Sequence, residues 1–242
     1  MMTGITENQY KALLLDLDGT LLDIDLDKFV IAYIDALSLK FSDYISRDKF
    51  AMHLFGATSV MVEDNDPSKK NKTVFYEDFC LRIGLERNKI ETIIEDFYEH
   101  DFPGLRCWSR KHPHAHKVIE AARRKNLALV LATNPIFPAT AVLQRLSWGE
   151  LSASDFQLIT TIENMHFCKP KPGYYLEISE KINCPPELCL MAGNDTLEDL
   201  IAAEAGMKTF LVDDFILNRS NREPISNYRG SLKDLAEFIE NI

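Results

Sequence analysis

The chain has 242 residues, of which 46% are hydrophobic and 26% charged, so it can bury a sizeable core without disulfides or metals. A net charge of −10 with no long basic block argues against nucleic acid or an anionic membrane as partner. An anionic substrate would need local help from lysine, backbone amides or metal. Five scattered cysteines, an odd number with no CxxC pair, predict reduced thiols. The N-terminal MMTGITENQYKA lacks a charged segment followed by an apolar one, and no apolar run could span a bilayer; the expected location is cytoplasmic.

In chain order, Leu13–Leu15 is a continuous apolar run ending at Asp16, which predicts a buried strand. From about Ile24 to Phe102 the apolar residues (Phe29, Ile34, Phe50, Leu54, Val74, Phe79, Ile90, Ile94) fall at helical spacing. That block predicts about four helices and no strand, with the polar stretch EDNDPSKKNKT, Glu63 to Thr73, as a mobile loop. After Pro103-Gly104 the pattern alternates. Helices are expected over 115–125, 139–146, 174–182, 197–205 and 232–239. Strands are expected over 128–132, 156–160, 188–192 and 209–212. Alternation with continuous apolar strands predicts a doubly wound parallel α/β sheet covered on both faces. Ligands bind such sheets beyond the carboxyl ends of the strands.

The unusual polar residues gather at those ends. Asp16 and Asp18 follow the first strand, and side chains at i and i+2 of an extended chain lean the same way. Two unit charges ~4 Å apart repel by about 4 kcal/mol at an effective dielectric of 20, so packing alone does not account for the pair. A cation or a shared proton would relieve it. Thr133 and Asn134 follow the second strand; Asn194 and Asp195 follow a later one, with Asp199 a helical turn on. Lys169 lies in the loop CKPKP ahead of a helix.

Together these segments resemble the motifs of the haloacid dehalogenase-like (HAD) superfamily of phosphohydrolases. LLLDLDGTL is similar to its first motif, ATN at 132–134 to its second, CKPKP to its third and AGNDTLED at 192–199 to its fourth. The resemblance implies a Rossmann-like core, residues 1–22 and 103–242, with an inserted all-α cap, residues 23–102, hinged near Leu22–Asp25 and Phe102–Gly104. It implies a hydrolase that cleaves a small phosphorylated metabolite through an aspartyl-phosphate. Asp16 would be the nucleophile, Asp18 the general acid and base, and Lys169 a cation beside the phosphoryl oxygens. Thr133 and the Leu17 and Asn134 amides would cradle the phosphoryl group. Mg²⁺ would be held by Asp16, the Asp18 carbonyl and Asp195, with Asn194 and Asp199 in support. The fourth motif departs from the usual Gly-Asp: here it reads Gly193-Asn194-Asp195, where Asp195 and Asp199 keep an i, i+4 acidic pair, whereas counting back from Gly206 favours Asn194 and Glu198.

Plainer roles compete. Asp195 could cap a helix with Glu198, and Lys171 suits the surface. HPHAH (His112, His114, His116) suits an exposed helix entry better than a metal tract. In the cap, Lys49, His53 and Lys72 are conceivable substrate contacts. The rivals on the same core are a phosphomutase, a dehalogenase, which has no need of a second acid, and a non-catalytic phosphate-binding or signalling protein.

Overall fold

A computed structural model describes residues 9–219 and 222–242. β1 (Ala12–Leu15) turns into β2 (Leu22–Ile24), and four helices follow: α1 (Leu26–Lys40), α2 (Arg47–Glu63), α3 (Asn71–Ile83) and α4 (Arg87–His100). A 3₁₀ segment, Phe102–Trp108, leads to β3 (Ser109–Lys111), α5 (Ala115–Arg124), β4 (Ala128–Leu131), α6 (Ala139–Trp148) and β5 (Leu158–Ile159). The chain continues through α7 (Pro172–Lys181), β6 (Cys189–Gly193), a second 3₁₀ segment at Leu200–Ala205, β7 (Lys208–Val212), β8 (Tyr228–Gly230) and α8 (Leu232–Glu240).

Among the described residues, six strands form one parallel sheet in the order β5-β4-β1-β6-β7-β8. β1 is central and buried along its whole length, as a strand covered on both faces must be. It pairs with β4 (Leu15↔Leu131) on one side and β6 (Leu15↔Ala192) on the other. Strand order therefore reverses beside β1, and the ends of β1, β4 and β6 lie abreast at the place where open α/β sheets bind ligands.

The helical block leaves and rejoins the core through a two-stranded antiparallel ribbon, Leu22↔Lys111 to Ile24↔Ser109. The Leu22–Ile24 strand was not expected in the helical block, and the paired return crossing lies at Ser109–Lys111, later than Phe102–Gly104. Residues 102–108 instead wind as 3₁₀ helix, and their aromatic start is packed among helices: Phe102 is fully buried, 5.2–6.0 Å from the rings of Phe29, Tyr98 and Trp148. The stretch predicted to be a mobile loop is tied to the core. Asn71 N donates to Met165 O and Lys72 N to Ile162 O, both at 2.9 Å, and the Lys171 ammonium donates to the Asp64 carbonyl rather than standing in solvent.

Two further departures have local causes. Residues 197–199 do not begin an α-helix, because Asp195 Oδ1 accepts from the amides of Leu197 and Glu198 (2.8 and 3.1 Å). A side-chain turn of this kind competes with helix, and only 3₁₀ geometry follows. His112, expected at an exposed helix entry, is buried against Phe215 with Nε2 3.7 Å from Asp214, although α5 starts at Ala115 as expected. No described helix is long and apolar enough to cross a membrane.

Phe102 joins the rings of α1 and α4 to Trp148 of α6. Truncation of a buried Phe to Ala costs about 3–5 kcal/mol through lost burial and a residual cavity. Phe102→Ala should lose stability of that order in urea titration. A loss within ~0.5 kcal/mol would mean that the helical block is not coupled to the core through this ring.

Candidate active site

The main chain of β1 carries Asp16 directly to the sheet edge: its amide donates to Ala192 O at 3.0 Å, and Leu15 O accepts from Ala132 N at 2.8 Å. The chain then turns back at once. Leu17 O accepts from the amides of Thr20, Leu21 and Leu22, and Gly19 adopts φ +83°, a region that side chains rarely enter. A Cβ at Gly19 would also lie 2.3 Å from Asn194 Nδ2, so the turn needs glycine for space as well. Packed inside the turn, the fully buried Thr20 hydroxyl lies 3.3 Å from Asp16 Oδ2 and 3.1 Å from Asn194 Oδ1. One hydroxyl thus ties the oxygens of β1's end to those of β6's end.

Beneath Asp16 lies Lys169, 1% exposed, with Nζ 2.9 Å from Asp16 Oδ1 and 2.6 Å from Asp199 Oδ1. Burial works to lower the Lys169 ammonium's pKa; the two carboxylates outweigh it and hold the group well above its ordinary value, so the lysine stays charged. Asp199 reaches this position because residue 193 is glycine. A Cβ there would sit 2.1 Å from Asp199 Oδ2, the oxygen that accepts from Asp195 N at 2.9 Å.

Asp18 lies on the other side. Its Oδ2 pairs with the guanidinium of Arg145, a residue of α6 only 1% exposed. Burial raises the Asp18 carboxyl above its usual range; Arg145 opposes that and the Asp16 charge adds to it. The guanidinium also lies 4.4 Å from the Phe137 ring centroid. Among the described residues Asp18 Oδ1 and Arg145 Nη2 have no hydrogen-bond partner, and both residues line the same cavity, of about 1290 Å³, between the sheet edge and the four helices.

Asp16, Thr133, Asn134, Asn194 and Asp195 line that cavity too. Lys169 and Asp199 do not: they form the buried support behind Asp16. Leu17 is fully buried with its side chain in the core. The Thr133 carbonyl is fixed by Thr160 Oγ1 (2.7 Å) and Tyr174 Oη (2.9 Å). Asn134 Nδ2 donates to Glu198 Oε2 at 3.1 Å. Of the cap residues named from sequence, Lys72 lines the cavity and Lys49 and His53 do not. Sequence reasoning missed Arg145, whose one signal is an arginine on the core face of α6 beside Ala141 and Val142. It gave Glu198 a capping role or, counting back from Gly206, a place beside Asn194 in the fourth motif, and that side chain faces the cavity, its carboxyl pKa raised by burial.

The oxygens suit a hard divalent cation unequally. Among the described residues no three His, Cys, Asp or Glu side chains converge as a metal-ligand cluster. Asp195 is otherwise engaged: Oδ1 holds two amides and Oδ2 pairs with Arg219 at 2.5 Å. Asn194 Oδ1 and Asp16 Oδ2 are the oxygens that meet at Thr20, and a carboxylate with an amide oxygen is donor chemistry that magnesium accepts.

Lys169→Met would leave Asp16 and Asp199 without their shared cation. Removing one partner of a buried ion pair costs about 3–5 kcal/mol, so a loss of that order is expected at pH 7. Burial raises the Asp199 carboxyl pKa to about 7 and the Lys169 charge opposes that rise, so without the lysine its folded pKa lies higher still. The protonated form favours the fold, and that contribution fades as pH rises through the folded pKa. The deficit should therefore shrink between pH 7 and pH 5 in thermal melts; a pH-independent deficit would contradict the shared-cation account.

The family of haloacid dehalogenase-like hydrolases matches residues 10–206. No curated protein matches the sequence. Among solved structures, the chain is similar to a predicted phosphoglycolate phosphatase from Haemophilus somnus 129PT, with 19% identity, TM-score 0.59, and 97% of this chain and 99% of that one covered. It is similar to a 2-haloacid dehalogenase from Pseudomonas syringae pv. tomato DC3000, with 19% identity, TM-score 0.64, and 96% and 99% covered. It is similar also to the HAD-hydrolase YfnB from Bacillus subtilis bound to magnesium, with 21% identity, TM-score 0.57, and 97% and 100% covered. At these identities the structures speak for the fold alone, whereas the family match spans most of the sequence: the chain belongs to the haloacid dehalogenase-like hydrolases.

Proposed function

We propose that this hydrolase is a magnesium-dependent phosphatase of a small phosphorylated metabolite, with residues 23–102 as a cap over a core of 1–22 and 103–242, working in the cytoplasm. The supporting observation is the second carboxyl. Asp18 shares the cavity with Asp16 and is disposed by burial to hold a proton. A halide leaves as a stable anion, but the alkoxide of a phosphate ester needs a proton, so the acid has work in a phosphatase and none in a dehalogenase.

In the first half-reaction an Asp16 oxygen attacks phosphorus. The ester P–O bond breaks, its electron pair stays with the departing oxygen, and that oxygen takes the Asp18 proton. In the second, water attacks the aspartyl-phosphate and gives its proton to the Asp18 carboxylate. The bond between phosphorus and the Asp16 oxygen breaks, returning the carboxylate and releasing inorganic phosphate. Lys169 keeps Asp16 oriented and offsets its charge, and Thr133 with the Asn134 and Leu17 amides provides the phosphoryl cradle. Asp16, the Asp18 carbonyl and Asn194 would hold magnesium, with Asp195 able to join on parting from Arg219. The ion would supply positive charge against the repulsion between a carboxylate and a phosphate dianion.

The purified protein with Mg²⁺ should hydrolyse p-nitrophenyl phosphate. EDTA should stop the reaction, and Asp16→Asn should remove turnover by more than about 1,000-fold, as expected when a nucleophile is lost. Metal-independent release of chloride from 2-chloropropionate, with no phosphate released from any ester, would place the chain with the dehalogenases. Conversion of a sugar phosphate to its isomer would make it a phosphomutase.

A further inference from the structure

The cavity is far larger than a phosphoryl group needs. At about 1290 Å³ it exceeds the ~300–1,000 Å³ typical of pockets for drug-sized ligands. Its composition changes with distance from the aspartates. The floor carries Asp16, Asp18, Thr133 and Asn194, while the walls beyond are formed by Tyr33, Ile34, Leu54, Phe75 and Ile94 of the four helices and by Phe137 of the core.

The charges in the lining decide what kind of substrate body fits. Its three cations each face a carboxylate: Arg145 pairs with Asp18, Arg219 with Asp195, and Lys72 lies 3.6 Å from Glu91. The lining also contains Asp27, Glu95, Glu99, Glu163 and Glu198. A substrate with a second phosphate or a carboxylate would enter a field of excess negative charge with no uncommitted cation among the described lining residues. The lining does hold polar side chains, among them Tyr33, Tyr76, Tyr98, Thr58 and Gln144, but hydroxyls of a polyol set against Ile34, Leu54, Phe75 and Ile94 would be desolvated unpaired, which is costly. An uncharged hydrocarbon body meets neither penalty and gains from burial.

We infer that the substrate is a phosphate monoester of a bulky, uncharged and largely apolar alcohol, its phosphoryl group at Asp16 and its body against Ile34, Leu54, Phe75 and Ile94. The inference rests on the phosphatase reading for the fate of the ester, and on the cavity for the nature of the alcohol.

A series of straight-chain alkyl monophosphates, compared with glycerol and hexitol monophosphates, tests it by phosphate release in the presence of Mg²⁺. Burial of a methylene favours binding by an amount equivalent to about a three- to fourfold change, so kcat/KM should climb by about that factor per carbon until the cavity is filled. The polyol esters should fall below the alkyl ester of equal length. A flat series, or a preference for polyol esters or bisphosphates, would overturn the inference while leaving the phosphatase reading intact. Calorimetric titration with n-alkylphosphonates of the same lengths needs no turnover and should show the same gradient in Kd. If the phosphonates show it and no ester is hydrolysed, the phosphatase reading fails and the apolar site stands. If they bind without a gradient, or do not bind, the apolar site falls.

Discussion

The arrangement depends on one buried ammonium. Lys169 is shared by Asp16 and Asp199, from two segments that sequence separates widely and the sheet brings together. Two carboxylates at such separations repel by an amount of the order of ~4 kcal/mol at an effective dielectric of 20, and a cation between them reverses the sign. The pattern repeats around the cavity. Asp18 is paired with Arg145 and Asp195 with Arg219. Each acidic group at a strand end is thus matched by a cation from a different segment, so the electrostatics that make a carboxylate cluster tolerable also clamp the loops that carry it.

Helix α6 extends that clamp to the cap. Arg145 holds the second acid, and its neighbour Gln144 donates through Nε2 to the Tyr98 carbonyl of α4 at 2.7 Å. Phe137, ahead of the helix, lies under the Arg145 guanidinium and edge-on to Tyr33 of α1 at 5.5 Å. On the opposite side, the fully buried Asn71 donates through Nδ2 to Cys168 Sγ at 3.2 Å, next to Lys169 itself. The cap is therefore seated by contacts that adjoin Asp18 and Lys169, the two groups proposed to assist Asp16.

What was legible in the sequence was whatever obeys a local rule. A continuous apolar run bounded by charge means a buried strand, which located β1, β4, β6 and β7 within a residue or two, and helical spacing located α1 to α8. The acids at strand ends were visible because nothing in a packed core asks for them. Arg145 was not, because its partner is 127 residues away and a single arginine in a helix looks like surface until the fold buries it. β8 is a three-residue edge strand with only half-buried or exposed residues, too short for any periodicity to register. The 3₁₀ turn at Leu200–Ala205 escaped for another reason: the composition is helical, and the competing hydrogen bonds belong to one side chain, Asp195.

The same locality explains the choice between Asn194 and Asp195, which counting along the motif leaves open. The residue after Gly193 must do two opposite things. Its Oδ1 accepts from Thr20 at 3.1 Å and its Nδ2 donates to Phe215 O at 2.7 Å. An amide meets both demands; a carboxylate there would set an anionic oxygen against a carbonyl. Asparagine at 194 therefore suits the backbone of the 213–217 loop, and it removes one negative charge beside Asp16. Asp195 lines the cavity, held by two amides and Arg219, and shapes the turn that delivers Asp199. The acidic pair at 195 and 199 is split in position where residue 193 lacks a Cβ: Asp199 passes under Gly193 to reach Lys169, and Asp195 stays with Arg219.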